Sequence, residues 1–151
     1  MEKETVIIKN ENETKALAKR LCRFVEPGSA FLLTGDLGAG KTTFTRYLCQ
    51  ELGIDTAQVT SPTFTVIHEY LDGKFPVAHV DLYRIGQDAD VYELGLDEYL
   101  NRGFFIIMEW AEFMSEPLEC PTFRLNLELL PDGQRKVELS FNRLDGETTP
   151  K

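Results

Sequence analysis

The sequence predicts an α/β fold, a single three-layer domain with a mixed central sheet and a C-terminal β-hairpin. Two runs, 30–33 and 104–108, have the length and apolar composition of buried strands. Two more strand-like runs lie on either side of 131–133, Pro-Asp-Gly, which is typical of a hairpin turn. At 151 residues the chain has the size of one domain with a substantial core.

The other strands follow from short runs of apolar or alternating residues. Strands are predicted at 5–8, 30–33, 64–70, 76–80, 104–108, 122–130 and 136–141. The Asp72-Gly73 pair between the third and fourth runs predicts a hairpin there.

Three helices are predicted between these strands. The first begins after Asn10 or Asn12 as its N-cap. Its apolar side chains recur at helical spacing, at Leu17, Leu21, Phe24 and Val25. The second helix covers 42–52 and ends at Gly53, a residue suited to the left-handed position after a helix. The third covers the acidic segment 88–100.

Residues 35–42, Gly-Asp-Leu-Gly-Ala-Gly-Lys-Thr, match the P-loop pattern of Gly, four residues and Gly-Lys-Thr. The glycines let backbone N–H groups curl around phosphate oxygens. Lys41 reaches the β- and γ-phosphates, and the Thr42 hydroxyl is placed for Mg²⁺. The strand before the loop and the helix after it supply the required context, with the helix N-terminus directed at the phosphates. The fold class is therefore predicted to be a three-layer P-loop NTPase domain.

Two acids follow strands at the edge where ligands bind in α/β sheets. A P-loop alone binds, and hydrolysis also needs a carboxylate that completes the metal shell or positions water. Glu109 follows the strand 104–108, in the pattern of a Walker B strand, and Asp81 follows the strand 76–80. Either acid could instead cap a strand end at the surface. Arg84 is a candidate stabiliser of developing charge or one partner of a surface ion pair.

Three further features have two interpretations each. Trp110 either packs on a nucleotide or is a half-buried core aromatic. Residues 60–63, Thr-Ser-Pro-Thr, either sense the γ-phosphate or form a hydroxyl-rich loop. His79 is expected to pack or to hydrogen-bond. With only two histidines and no clustered ligands, no structural metal is expected.

Composition argues against a protein that clamps nucleic acid by itself. The net charge is −9, from 25 acidic and 16 basic residues, and nucleic-acid affinity depends largely on neutralising phosphates. If nucleic acid is involved, a partner is expected to hold it. The cysteines, Cys22, Cys49 and Cys120, are far apart and odd in number, so buried reduced thiols are expected. These thiols, with no signal-like or membrane-length apolar run, favour a cytoplasmic protein without membrane contact.

Five segments occur in a recognisable order: Gly-Asp-Leu-Gly-Ala-Gly-Lys-Thr-Thr-Phe at 35–44, Ser-Pro-Thr-Phe at 61–64, Asp-Leu-Tyr-Arg at 81–84, Glu-Leu-Gly-Leu-Asp-Glu-Tyr at 93–99 and Glu-Trp-Ala-Glu at 109–112. Together they resemble the TsaE family, bacterial ATPases of tRNA threonylcarbamoyladenosine biosynthesis. The P-loop alone is unspecific, and the segments at 81–84 and 109–112 make the resemblance specific. The likeness extends from Glu11 to Arg135.

The resemblance implies a P-loop ATPase with ATP and Mg²⁺ as cofactors. From the sequence pattern, residues 1–142 are expected to form this domain and residues 143–151 a flexible tail. The resemblance further implies two partner proteins, TsaD and TsaB. These use threonylcarbamoyl-adenylate to modify the adenosine next to the anticodon in tRNAs that read codons beginning with adenine. The ATPase binds that complex and enables its turnover, while the partners hold the tRNA.

The resemblance also implies roles for individual residues. The phosphates are cradled by Gly35, Asp36, Leu37, Gly38, Ala39, Gly40, Lys41, Thr42 and Thr43. The implied metal ligands are Thr42, Glu109 and Asp81. The implied catalytic residues are Lys41, Asp81 and Glu109, with either acid orienting the attacking water. The positions that approach the base are Glu11 or Thr14, and Arg135.

Three other functions fit a chain with a P-loop. A small-molecule kinase would add a lid with arginines and an acceptor pocket, whereas the arginines here are scattered. A GTPase is suggested by 142–145, Asn-Arg-Leu-Asp, although arginine replaces the lysine of the guanine-reading motif and no Asp-x-x-Gly sequence occurs. A non-catalytic switch, in which nucleotide orders a docking surface, overlaps with the implied role.

Overall fold

Seven strands form one mixed sheet in the computed structural model, which describes residues 3–60 and 66–142. The strands are β1 (Lys3–Ile8), β2 (Ala30–Thr34), β3 (Ile67–Tyr70), β4 (Val77–Asp81), β5 (Phe105–Glu109), β6 (Thr122–Leu129) and β7 (Arg135–Asn142). The α-helices of these ranges are α1 (Glu11–Leu21), α2 (Lys41–Glu51) and α3 (Leu96–Asn101). Short 3₁₀ turns lie at Cys22–Phe24, Thr56–Gln58 and Ala111–Phe113. None of these described helices has the length and apolar character needed to cross a membrane.

The sheet has a parallel centre and antiparallel edges. Its strand order is β1-β7-β6-β2-β5-β4-β3, with β2 parallel to β5 and β6, and β4 parallel to β5. The pairs β3–β4, β6–β7 and β1–β7 are antiparallel. The predicted mixed α/β sheet and its C-terminal hairpin are therefore confirmed.

Alternate residues of the central strands enter two cores, one on each face of the sheet. In β2, Phe31 and Leu33 belong to the core that includes α1 and α2, whereas Ala30 and Leu32 belong to the core that includes α3. The alternation arises because successive side chains of a strand point to opposite faces. Burial on both faces explains why this strand is apolar throughout.

The parallel register brings three strand ends to one edge of the sheet. Leu33, near the end of β2, pairs with Glu109 at the end of β5. Glu109 also pairs with Asp81 at the end of β4. Because neighbouring strands are about 4.8 Å apart, the loop that follows β2 begins one strand spacing from Glu109 and two spacings, about 10 Å, from Asp81.

The ends of α1 and α2 follow their predicted signals. Asn10, rather than Asn12, is the N-cap of α1, because its Oδ1 accepts a hydrogen bond from the backbone N–H of Glu13 at 3.0 Å. The Glu13 carboxylate accepts in return from the backbone N–H of Lys9 at 2.8 Å. This reciprocal arrangement resembles a capping box. Helix α2 ends shortly before Gly53, whose φ of 83° is left-handed as predicted.

The predicted helix at 88–100 is wrong over most of its length, since only Leu96–Asn101 is helical. Asp88 and Gly95 have positive φ angles of 62° and 77°, which interrupt a right-handed helix. The Asp90 side chain accepts a backbone N–H two residues further on, at 2.9 Å, and so forms a local turn. Ala89 makes an isolated parallel bridge outside the sheet. Local turn bonds and tertiary contacts therefore replace the helical bonds.

Several other predicted boundaries shift. Helix α2 begins at Lys41, one residue early, and β4 continues through Asp81. Phe24 lies in a 3₁₀ turn and Val25 after it, so neither continues α1. Residues 61–65 and 143–151 lie outside the described ranges, and with them the Ser-Pro-Thr-Phe segment and the predicted tail.

The three cysteines are free thiols, and two of them are buried as predicted. Burial raises the pKa of the Cys49 and Cys120 thiols to about 12. Cys22 is only partly buried, so the prediction of burial is wrong for this residue.

The N-cap of α1 gives a test of the local assignment. We expect Asn10→Ala to lower the free energy of unfolding by about 1 kcal/mol, because the backbone N–H of Glu13 loses its acceptor. Asn12→Ala is the matched control and should change stability little, since this exposed side chain does not cap the helix. Urea denaturation measures both, and an equal loss in the two variants would contradict the assignment.

Candidate functional site

A cavity of about 350 Å³ opens at the sheet edge where β2 and β5 end. Its volume falls in the range of about 300–1,000 Å³ that is common for small-molecule sites. The lining residues are Leu37, Gly38, Ala39, Gly40, Lys41, Thr42, Thr43, Glu109, Trp110 and Arg135. The cavity therefore joins most of the P-loop segment (35–42) to the strand end that the sequence singled out.

The P-loop segment has a backbone that requires glycine. A Cβ on Gly35 would lie 2.2 Å from the carbonyl oxygen of Leu127, and Gly35 has a φ of 137°. Gly40, the N-cap of α2, has a φ of 103°. Because Gly40 has no side chain, nothing at the cap position covers the first backbone N–H groups of α2. Such N–H groups at a helix N-terminus favour an anion.

Arg135, the first residue of β7, donates hydrogen bonds to backbone carbonyls in the middle of the P-loop segment. Its Nε donates to the carbonyl oxygen of Ala39 at 3.0 Å, and its Nη2 donates to that of Gly38 at 3.3 Å. These bonds hold two loop carbonyls toward β7. Local sequence gives no sign of this contact, which joins residues 96 and 97 positions apart.

Lys41 is folded back onto its own loop. Its Nζ donates to the carbonyl oxygens of Gly35 and, at 3.1 Å, Asp36. The same nitrogen lies 3.9 Å from the centre of the Trp110 ring, in a cation–π contact. Burial lowers the pKa of Lys41, while the carboxylates of Glu112 and Glu109 oppose that change.

Trp110 belongs to an aromatic group at the cavity. Its ring stacks on Phe113 with centroids 5.3 Å apart, and its centroid lies 5.0 Å from that of the Tyr83 ring. Trp110 also has a left-handed φ of 60°, an uncommon conformation for a bulky residue. The residue is only partly buried and packs on other aromatic rings, which agrees with the interpretation as a half-buried core aromatic, and contact with a nucleotide stays a prediction.

Glu109 lies at the base of the cavity, with 2% of its surface exposed. Its Oε1 accepts from the Thr42 hydroxyl at 2.7 Å. Its Oε2 is 2.6 Å from Nε2 of His79. The structure therefore brings together the predicted hydroxyl and carboxylate, and it connects both to His79, which was expected to pack or to hydrogen-bond and which makes hydrogen bonds here.

Asp81 is adjacent to Glu109 but does not line the cavity. It is 6% exposed, and its Oδ1 accepts from the backbone N–H of Tyr83 at 2.9 Å. Arg84 follows on the same turn and is exposed. In the described part of the chain, no group of three or more His, Cys, Asp or Glu side chains is arranged to hold a metal. A cation here would depend on oxygen ligands from other sources as well.

Glu112 makes a contact that sequence reasoning missed. Its Oε2 accepts from the backbone N–H of Gly35 at 3.1 Å, and it is the carboxylate that acts most strongly on Lys41. The contact ties the turn after β5 to the start of the P-loop segment. Its position in the Glu-Trp-Ala-Glu segment at 109–112 was the available signal.

Glu11 and Thr14, which were expected to approach the base of the nucleotide, do not line the cavity. The Glu11 carboxylate accepts from the Tyr47 hydroxyl at 2.8 Å, between α1 and α2. Thr14 is buried at 6% exposure. Of the three proposed base contacts, Arg135 alone lines the cavity.

A protein-family comparison identifies the class to which this fold and site belong. The family model described as threonylcarbamoyl adenosine biosynthesis protein TsaE matches residues 8–137. The chain belongs to the TsaE family, which confirms the resemblance found in the sequence.

Individual relatives agree with this assignment. The chain is 45% identical over 132 residues to the tRNA threonylcarbamoyladenosine biosynthesis protein TsaE of Bacillus subtilis, covering 87% of this chain and 80% of that protein. It is 39% identical over 137 residues to the protein of the same name from Rickettsia felis, covering 91% and 80%. A crystal structure of Bacillus subtilis YdiB matches with a TM-score of 0.74 and 36% identity, covering 91% of this chain and 84% of that one.

The glycines of the P-loop segment allow a direct test of its packing. We expect Gly35→Ala to cost roughly twice as much unfolding free energy as Gly38→Ala, or more, because the new Cβ meets a backbone carbonyl. A Cβ added at Gly38 would have no atom within 4 Å, so only the φ of 82° is unfavourable there, at about 1–2 kcal/mol. Urea denaturation measures both. Similar losses would show that the close approach to Leu127 is relieved at little cost.

Proposed function

We propose that this protein is a Mg²⁺-dependent P-loop ATPase that supports the formation of threonylcarbamoyladenosine in tRNA. Its membership of the TsaE family supports the role in tRNA threonylcarbamoyladenosine biosynthesis. The ATPase activity is our inference from the site. The observation that carries it is the 2.7 Å contact between the Thr42 hydroxyl and the Glu109 carboxylate, at the cavity that the P-loop segment lines.

The backbone of the P-loop segment supports its role in binding the phosphates of ATP. The strand–loop–helix arrangement of β2, the P-loop segment and α2 supports this proposal, because a P-loop lies between a strand and a helix, and the segment has glycines where its backbone has positive φ angles. Backbone N–H groups and the positive end of α2 would receive the triphosphate. Lys41 would leave its two loop carbonyls and Trp110, and its ammonium would then bind the β- and γ-phosphates.

Thr42 and Glu109, which line the cavity, have oxygen atoms placed suitably for a bound Mg²⁺. Two neighbouring ligands of an octahedral Mg²⁺, each about 2.1 Å from the ion, are about 3 Å apart, close to the observed separation of Thr42 Oγ1 and Glu109 Oε1. Mg²⁺ usually takes one or two carboxylates together with substrate phosphates and waters, which suits a site with few protein ligands. When bound, the cation would neutralise charge that develops on the transferring phosphoryl group.

Asp81 is our candidate for orienting the attacking water. Both Glu109 oxygens are engaged, one by Thr42 and one by His79, which favours the ligand role for that carboxylate. Asp81 pairs with Glu109 across β4 and β5 and so would be close to the γ-phosphate. Its contact with the Tyr83 backbone would orient the side chain.

We expect the isolated protein to hydrolyse ATP slowly, because the arginine that lines the cavity is already engaged by the loop. Among the lining residues the arginine is Arg135, and its guanidinium already holds Gly38 and Ala39. Arg84 lies exposed on the turn after β4. An arginine supplied at the transferred phosphate is worth roughly 10³–10⁵ in rate, so a partner that provides one would accelerate turnover strongly.

The partners we propose are proteins of the TsaD and TsaB type. The net charge of −9 disfavours direct tRNA binding, so the partners would hold the tRNA while this protein hydrolyses ATP on their complex. We place this activity in the cytoplasm, where these substrates meet.

The direct test is to measure phosphate release from ATP by the protein alone and with purified TsaD- and TsaB-type partners and tRNA. We expect slow Mg²⁺-dependent release alone and an acceleration of about tenfold or more on the complex, because a supplied charge stabilises the transition state. Lys41→Ala should lose nucleotide affinity, whereas the control Lys136→Ala, a partly exposed lysine that does not line the cavity, should not.

Three outcomes would contradict the proposal in different ways. Equal rates of ATP hydrolysis by the protein alone and in the complex would show that the partners do not accelerate the reaction. A phosphorylated metabolite in place of free phosphate would indicate a kinase. Full tRNA modification by a Glu109→Ala protein that binds but does not hydrolyse ATP would indicate a switch without catalysis.

A further inference from the structure

A line of buried hydrogen bonds extends behind the Glu109 carboxylate and has no part in the proposed function so far. The Tyr70 hydroxyl is 2.9 Å from Nδ1 of His79. Nε2 of His79 is 2.6 Å from Glu109 Oε2, and Glu109 Oε1 accepts from Thr42 at 2.7 Å. Four side chains, one each from β3, β4, β5 and α2, are thus linked one after another by hydrogen bonds.

The two members of this line farthest from the cavity are inaccessible to solvent. Tyr70 is 2% exposed and His79 is fully buried. Polar groups are costly to bury unless they are hydrogen-bonded, so their directions are constrained by one another. The line ends at the cavity with Thr42, which lines it.

The donors and acceptors of this line can be matched from one member to the next with a neutral His79 ring. The carboxylate accepts from His79 Nε2–H, which leaves Nδ1 of a neutral ring as an acceptor for the Tyr70 hydroxyl. Burial raises the pKa of Tyr70, so its phenol retains the proton that it donates. The part of this arrangement that matters for Glu109 is the Nε2–H of His79, which donates to Oε2, while the Tyr70 hydroxyl holds the opposite side of the ring.

The hydrogen bond from His79 limits the number of Glu109 oxygens that a cation can bind. Oε2 is engaged by His79, so Oε1 is the oxygen available on the Thr42 side. Mg²⁺ demands compact octahedral geometry, whereas Ca²⁺ takes 6–8 oxygens and commonly binds a carboxylate through both of them. Holding Oε2 away from the cation therefore disfavours the larger ion.

We propose that His79 and Tyr70 are positioning residues that make Glu109 a one-oxygen ligand and so set a preference for Mg²⁺ over Ca²⁺. This inference rests on the proposed function, since it assumes that a cation binds beside Thr42. A histidine that served only the core would affect folding stability without changing which cation the site prefers.

The test compares the affinity of a non-hydrolysable ATP analogue in saturating Mg²⁺ with its affinity in saturating Ca²⁺, by calorimetry. The ratio of the two affinities is the readout. The variants are His79→Leu, which removes the donor, His79→Gln, whose amide N–H can replace it, and Tyr70→Phe, which removes one hydroxyl and almost no volume.

We expect the Mg²⁺/Ca²⁺ ratio to fall about tenfold or more in His79→Leu, because losing a group that orients a metal ligand usually costs about 10- to 100-fold in metal affinity and this loss should fall mainly on Mg²⁺. Tyr70→Phe should lower it about two- to tenfold, since one hydrogen bond is lost and the ring can turn. His79→Gln should restore part of the ratio. If His79→Leu does not fold, Tyr70→Phe decides, and thermal unfolding shows which variants are folded.

Two matched controls separate positioning from general disturbance of the sheet. His68→Gln alters the histidine opposite His79 on β3, and Tyr99→Phe removes a hydroxyl that donates to the Glu69 carboxylate near the surface. Neither should change the ratio. An unchanged ratio in the folded His79 and Tyr70 variants, or a wild-type protein without preference for Mg²⁺, would overturn the inference.

A readout independent of nucleotide is the tautomer of His79, from nitrogen-15 NMR of the ligand-free protein. We expect a proton on Nε2, the nitrogen that faces Glu109, and an Nε2 without a proton would overturn the inference. Wild-type protein that binds the analogue with neither cation would instead contradict the proposed function. The two failures are therefore distinguishable.

Discussion

The hydrogen bond between the Thr42 hydroxyl and the Glu109 carboxylate is the contact on which the candidate site depends. It spans 67 positions of sequence and joins the first turn of α2 to the end of β5. The parallel pairing of β2 with β5 makes it possible, because the register places the loop after Leu33 beside Glu109. A slip of one residue in that register would turn Glu109 to the opposite face of the sheet.

Charge balance is the second constraint on this site. Glu109 and Lys41 are 2% and 5% exposed, and a buried charge without partners is destabilising by several kcal/mol. Each one has partners within the protein, Glu109 in Thr42 and His79, and Lys41 in two loop carbonyls and the Trp110 ring. The same groups are those that a triphosphate and its cation would engage. Contacts within the protein therefore satisfy both buried charges, and the proposed function requires a triphosphate and its cation to replace some of these contacts.

The parts of the site that were predictable are those with local signals. The P-loop pattern is contiguous, and Asp81 and Glu109 each follow a strand directly, so parallel pairing alone predicts that they meet. The contacts of His79 and Arg135 depend on strand order and register, which short patterns do not specify. The segment 88–100 has helical composition, but its turn bonds and its bridge to a distant residue decide its shape. Propensity is a weak guide where tertiary contacts compete with it.

The central claim is that Thr42 and Glu109 act as one cation site. The most direct measurement is a double-mutant cycle of Thr42→Val and Glu109→Gln, with the gain in affinity for an ATP analogue on adding Mg²⁺ as the readout. If the two groups share one ion, the double variant should lose within about threefold of what the worse single variant loses, because either change already removes the joint site. Losses that simply multiply would mean that the two side chains act independently, and the account of the site would be contradicted.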